Sequence, residues 1–213
     1  MIHAVDTILS LVLLSILFSF GSSRLPGLIK VLAFQGLAVS IVPLVIGHDL
    51  TMGGTVFTVV TMLIRGLAIP LLLYIVIKRV AIQHEVEPIV GYHASLLIGL
   101  VVIVAATYIS RHFNVPLASA NVLLLPTAIT LLTAGMFLLM ARRNAIAMVI
   151  GYIMMENGIY LVGTTFSIRA HHIVEFGILL DVLAGVMIMA VMLQNIKQTH
   201  DDVDTALLRT LKE

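Results

Sequence analysis

Four charged residues lie at least three positions inside otherwise apolar runs: Arg65, Glu156, Asp181 and Glu175. Arg65, Glu156 and Asp181 each fall near the middle of a run, and Glu175 lies one helical turn inside the start of the run that holds Asp181. A charge at bilayer depth costs at least about 2.5–3.5 kcal/mol on insertion scales, so such side chains turn towards protein or a wet cavity. Two carboxylates desolvated in one bundle resist simultaneous ionisation, and at least one then holds a proton near neutral pH. That is the behaviour of a proton relay. Arg65, if close, favours one ionised and one neutral group, and Asp181 is the first partner to expect for it. The alternative is purely structural: the charges bond one another or backbone carbonyls and glue helices together.

The surroundings of the carboxylates are small or polar. Tyr152 and Tyr160 stand four residues either side of Glu156, where they extend a relay or simply pack. Asn157 is a candidate for interhelical hydrogen bonding. Gly151, Gly158 and Gly163 share the run with Glu156, while Gly177, Ala184 and Gly185 share that of Asp181, and such residues let helices approach closely. Pro70 and Pro126 free backbone carbonyls that solvate a polar path or kink a helix. Cysteine is absent, which removes disulfides, thiolate metal sites and thiol chemistry. Seven of the eight histidines (His48, His84, His93, His112, His171, His172 and His200) sit at run ends and form no paired ladder for haem. His171-His172 suit a solvated turn better than a proton shuttle. No nucleotide fingerprint appears, so no cofactor and no metal is expected.

These residues must be positioned by membrane helices. The chain of 213 residues is 60% apolar and 11% charged, with a mean hydropathy of +1.13. A soluble domain carries roughly 25% charged residues, so lipid is the solvent for most of this surface. The net charge of +1 gives no hint of a nucleic-acid partner. Seven stretches reach the roughly 20 residues that a bilayer core demands: Val5–Gly21, Leu28–Gly47, Thr55–Ile77, Tyr92–Ser110, Ala118–Ala141, Ala145–Phe166 and His172–Gln194. The first is a retained helix and not a signal peptide, because no Lys or Arg precedes Arg24. Unpaired backbone groups are too costly in lipid for open strands, so an all-α bundle is expected. Nine basic residues (Arg24, Lys30, Lys78, Arg79, Arg142, Arg143, Lys197, Arg209 and Lys212) fall on one side and two, Arg111 and Arg169, on the other. The excess puts the carboxyl terminus in the cytoplasm and, with seven spans, the amino terminus outside.

The segment Gly151-Tyr152-Ile153-Met154-Met155-Glu156-Asn157-Gly158, followed by Val174-Glu175-Phe176-Gly177-Ile178 and Asp181, resembles component E of the hydrogenase-4 type. Members of that family are membrane subunits of energy-converting [NiFe] hydrogenase and formate hydrogenlyase complexes. From Arg142 onward the chain is also similar to subunit K of respiratory complex I and to its small membrane counterpart in Mrp sodium/proton antiporters. The resemblance implies one membrane domain over residues 1–213. It comprises four helices without a counterpart in subunit K (1–117), a three-helix portion like subunit K (118–198) and a cytoplasmic tail (199–213). It maps the first intramembrane carboxylate of those relatives onto Glu156. The second maps onto Asp181, an aspartate where subunit K has glutamate, or onto its rival Glu175.

The expected function is thus a non-redox, multi-pass subunit of a complex-I-like oxidoreductase in the cell inner membrane. It has no active site of its own, and its carboxylates serve proton translocation. The expected partners are the lipid bilayer and other membrane subunits, antiporter-like ones among them. A stand-alone cation/proton transporter is the competing class, but no inverted repeat or pair of broken helices supports it. A structural assembly subunit is the third.

Overall fold

The computed structural model describes residues 2–22, 24–46, 52–79, 89–112, 122–142 and 144–166, with residues 185 and 188. Every regular element among them is helical: α1 (Ile2–Gly21), α2 (Leu25–Ile46), α3 (Met52–Leu63), a π-helical turn (Ile64–Ala68), α4 (Ile69–Arg79), α5 (Tyr92–His112), α6 (Leu124–Ala141) and α7 (Ala145–Phe166). Among the described residues six segments are long and apolar enough to cross a membrane, because α3, the π turn and α4 run on as one. The seventh stretch, from His172 to Gln194, lies outside the described residues except for Gly185 and Ile188, both helical.

Local chemistry sets the helix ends. Asn144 closes the tight turn between α6 and α7 by accepting the Ile146 N–H on Oδ1 at 2.9 Å, while its carbonyl takes the Met148 N–H at 3.0 Å. That is an N-cap, which satisfies donors the first helical turn leaves open. Pro26 sits at the start of α2, where a missing N–H costs nothing. The sequence places Pro126 inside a helix over Ala118–Ala141. The helix instead begins at Leu124, so Pro126 occupies its first turn and frees no intrahelical carbonyl.

Two apolar clusters hold the bundle. Val5, Leu9, Val12, Ile16 and Phe20 form one stripe of α1 and pack with buried residues of α2, α6 and α7. Leu25, Leu28 and Leu32 of α2 pack with Leu73 and Val76 of α4, the first half of α7 and Ile188. Helix α2 therefore touches both clusters. Among the described helices the most extensive pairing is α6 with α7, and glycine makes it possible. A Cβ at Gly158 would lie 2.5 Å from the Leu132 amide nitrogen, and one at Gly151 would lie 2.8 Å from that of Leu139. At Gly135 the same atom would meet the Met155 backbone and, at 2.6 Å, the Gly151 carbonyl. At Gly185 no described residue lies within 4 Å of the Cβ position.

One end of the bundle gathers the carboxyl ends of α1 and α6 and the amino ends of α2, α5 and α7. Arg142, only 2% exposed, donates from Nη2 to the Phe20 carbonyl at 3.1 Å and sits 5.2 Å from the Tyr92 ring centroid. The Ile89 N–H donates to the Ala141 carbonyl at 2.9 Å nearby. Burial lowers the pKa of this guanidinium from its ordinary value, and Tyr92 opposes the shift. It remains a cation, well placed against the negative ends of two helix dipoles.

Candidate functional site

Arg65 and Glu156 meet in the bundle interior. Arg65 Nη2 donates to Glu156 Oε1 at 2.6 Å, and both side chains are 1% exposed. The expectation that Arg65 turns away from lipid to an acidic group is met, but the partner seen is Glu156. Asp181, named first from the sequence, lies outside the described residues, as does Glu175. The guanidinium carbon also lies 4.5 Å from the Tyr160 ring centroid, a cation–π geometry. Tyr160, one turn beyond Glu156, therefore offers its face to the cation, beyond simple packing. Tyr152 is buried one turn on the other side. Asn157 is 1% exposed, and its amide makes no hydrogen bond among the described residues.

The backbone around Arg65 departs from a regular α-helix, at the place where Pro70 is expected to free a carbonyl or kink the helix. Residues Ile64–Ala68 form a π turn, closed by an N–H of Ile69 bonding the Ile64 carbonyl five residues back. Pro70 follows directly and has no N–H to return to Gly66, so the ordinary helical ladder cannot run through this point. A π turn adds one residue to the helix and re-aims the side chains around it. Helix α2 closes on the same turn: a Cβ at Gly36 would lie 2.5 Å from the Arg65 carbonyl oxygen. Only glycine allows that approach. Beside it, Gln35 is fully buried and donates from Nε2 to Ser15 Oγ at 2.9 Å, tying α2 to α1. Besides Pro70, the sequence holds a signal for this geometry that composition does not single out: lone glycines at Gly36 and Gly66.

The arrangement can do limited but specific chemistry. It holds a carboxylate and a guanidinium out of water, pinned by one short charge-assisted bond and an aromatic face. Moving a proton onto Glu156 unbalances the pair, so protonation of the carboxylate is coupled to loosening of Arg65. Among the described residues no group of three or more metal-ligating side chains converges.

The fold and this pair define an all-helical membrane protein with a buried ion pair between two spans. A family model described as NADH-ubiquinone/plastoquinone oxidoreductase chain 4L matches residues 123–213. Hydrogenase-4 component E of Escherichia coli K12 is 24% identical over 148 residues, covering 70% of this chain and 68% of that protein. The same component of Shigella flexneri matches equally. An uncharacterised protein of Mycobacterium tuberculosis is 27% identical over 191 residues, 89% of this chain and 87% of its own. No solved structure matches significantly. Residues 123–213 are thus similar to chain 4L, and 70% of the chain is similar to hydrogenase-4 component E. Glu156 lies inside the matched portion and Arg65 outside it.

Proposed function

We propose that the protein is a membrane subunit of a complex-I-like hydrogenase complex and that Glu156 and Asp181, with Glu175 as the alternative to Asp181, carry protons across its midplane. The observation that supports this best is the buried Arg65–Glu156 pair, in which the carboxylate belongs to the portion matching chain 4L. In this reading the amino-terminal part (1–117) has a role of its own: it supplies the counter-charge that holds Glu156 as an anion until a proton arrives. The three-helix part (118–198) carries the relay, and the tail (199–213) faces the cytoplasm. Partners are the other membrane subunits, antiporter-like ones included, in the cell inner membrane.

The test is Glu156→Gln, which keeps shape and hydrogen bonding but cannot ionise. The complex should assemble and co-purify in mild detergent with hydrogenase-type partners, while proton translocation falls at least tenfold. Asp181→Asn should do the same if Asp181, not Glu175, is the second site. Translocation at the unmodified rate in both variants would leave the carboxylates as glue. Topology is read separately: a cysteine replacing Arg143 should react with an impermeant thiol reagent only from the cytoplasm, and one replacing Ser167 only from outside.

A further inference from the structure

We infer that the cavity between α1, α2 and α5 at the basic end of the bundle is a binding site for an anionic phospholipid. It is about 1130 Å³ and is unrelated to the Arg65–Glu156 pair. Its chemistry is ordered along α1. Leu14, Leu17 and Phe18 form the apolar wall, and Leu96 of α5 faces them. Gly21 and Ser22 follow, then Arg24, and Lys30 of α2 also lines the cavity. From Leu14 to Gly21 the wall is roughly 10 Å deep at 1.5 Å per residue. That depth takes the glycerol and upper acyl region of a lipid, and the two cations lie where its phosphate would be.

Among the described residues, nothing acidic answers these two charges, which suits an anion. No lining residue is acidic, and the sequence has no Asp or Glu between Asp6 and Asp49. Among the described residues the ion pair found is Arg65–Glu156, so Arg24 and Lys30 are not neutralised by any of them. Lys30, in the second turn of α2, lines the cavity, and a lysine stem of that length lets its ammonium head follow a phosphate. The turn leaves the rim open because Gly27 has no side chain: a Cβ there would stand 3.1 Å from Ser22 Oγ. Basic pockets between membrane helices are where anionic head groups bind. Leu14 and Phe18 are 63% and 65% exposed, so a lipid enters sideways from the bilayer.

Native mass spectrometry of the intact detergent-solubilised complex tests this with phosphatidylglycerol and phosphatidylcholine of matched acyl chains. Phosphatidylglycerol should be retained at least tenfold better. The double variant Arg24→Gln/Lys30→Gln should lose that preference, whereas Lys78→Gln, a basic residue at the same end outside the cavity, should keep it. Gly21→Leu leaves both charges and fills the space, since a Cβ at Gly21 meets only Leu96 at 3.6 Å, and it should also lower retention tenfold. Equal retention of the two lipids, or no effect of either cavity variant, overturns the proposal. Displacement by soluble glycerol phosphate would make it a phosphate site without a lipid. Cross-linking of a cysteine at Leu14 to a neighbouring protein of the complex, with no lipid retained, would make it a protein interface.

Discussion

Arg65 and Glu156 lie 91 positions apart in the chain and share one hydrogen bond of 2.6 Å that joins the amino-terminal helices to the α6–α7 hairpin. Both charges have left water, so their worth depends on each other. Removing one partner of a buried pair costs about 3–5 kcal/mol, while replacing both by apolar groups is often neutral. Glu156→Ala should therefore lower the thermal midpoint in detergent clearly more than the double variant Arg65→Leu/Glu156→Leu does. Equal losses would mean that the two side chains do not depend on each other.

A second expectation concerns the hairpin that carries Glu156. Gly158 lies two residues on and abuts the Leu132 backbone, which cannot move aside as a flexible side chain would. Gly158→Ala should push α7 from α6 and cost about 1–3 kcal/mol as overpacking. The same substitution at Gly21, where a Cβ meets only ordinary contact with Leu96, should be nearly neutral. Unfolding midpoints of the two variants, measured side by side, decide it.

The sequence discloses the spans well and the site in part, for physical reasons. Lipid imposes a length and an apolar composition that show in any window, so Ala145 begins α7 and Tyr92 begins α5 as expected. The cost of a buried charge makes Arg65 and Glu156 stand out without any structure. Which helices touch is not written in composition, and that is why the sequence alone does not pair Arg65 with Glu156. The π turn stays hidden because a one-residue insertion leaves the apolar pattern intact on both sides. In the sequence Arg142 is only one member of a basic turn. Its burial against Phe20 and Tyr92 depends on three helix ends meeting, which no local signal records.

Arg142 yields the third expectation. It bonds the last turn of α1 through the Phe20 carbonyl while standing at the end of α6, so one cation serves two helix termini. Arg142→Gln keeps a donor but removes the charge from both dipole ends, each worth about 0.3–1 kcal/mol. The variant should assemble with a lower thermal midpoint and faster proteolysis at the turn containing residues 141–145. Arg142→Lys should recover less than half of the loss, because an ammonium cannot reproduce the planar fork against Tyr92. Full recovery by lysine would reduce the role to charge alone.

The last expectation isolates the π turn. A π turn is an α-helix with one residue added, so deleting one residue should restore a regular ladder while the packed faces before and after it keep their register. Leu67 is the residue to delete, since it lies within the turn and is 57% exposed, leaving the core little changed. Within the turn, however, side chains swing by up to about 100° per residue, and Arg65 no longer points at Glu156. Cysteines at positions 65 and 156 report this directly. In the full-length chain they should join readily through a short bifunctional thiol reagent. In the Leu67 deletion the yield should drop at least fivefold, although the protein still extracts as a folded species. Undiminished cross-linking would show that Pro70 and Gly36 hold the arginine in place without the turn.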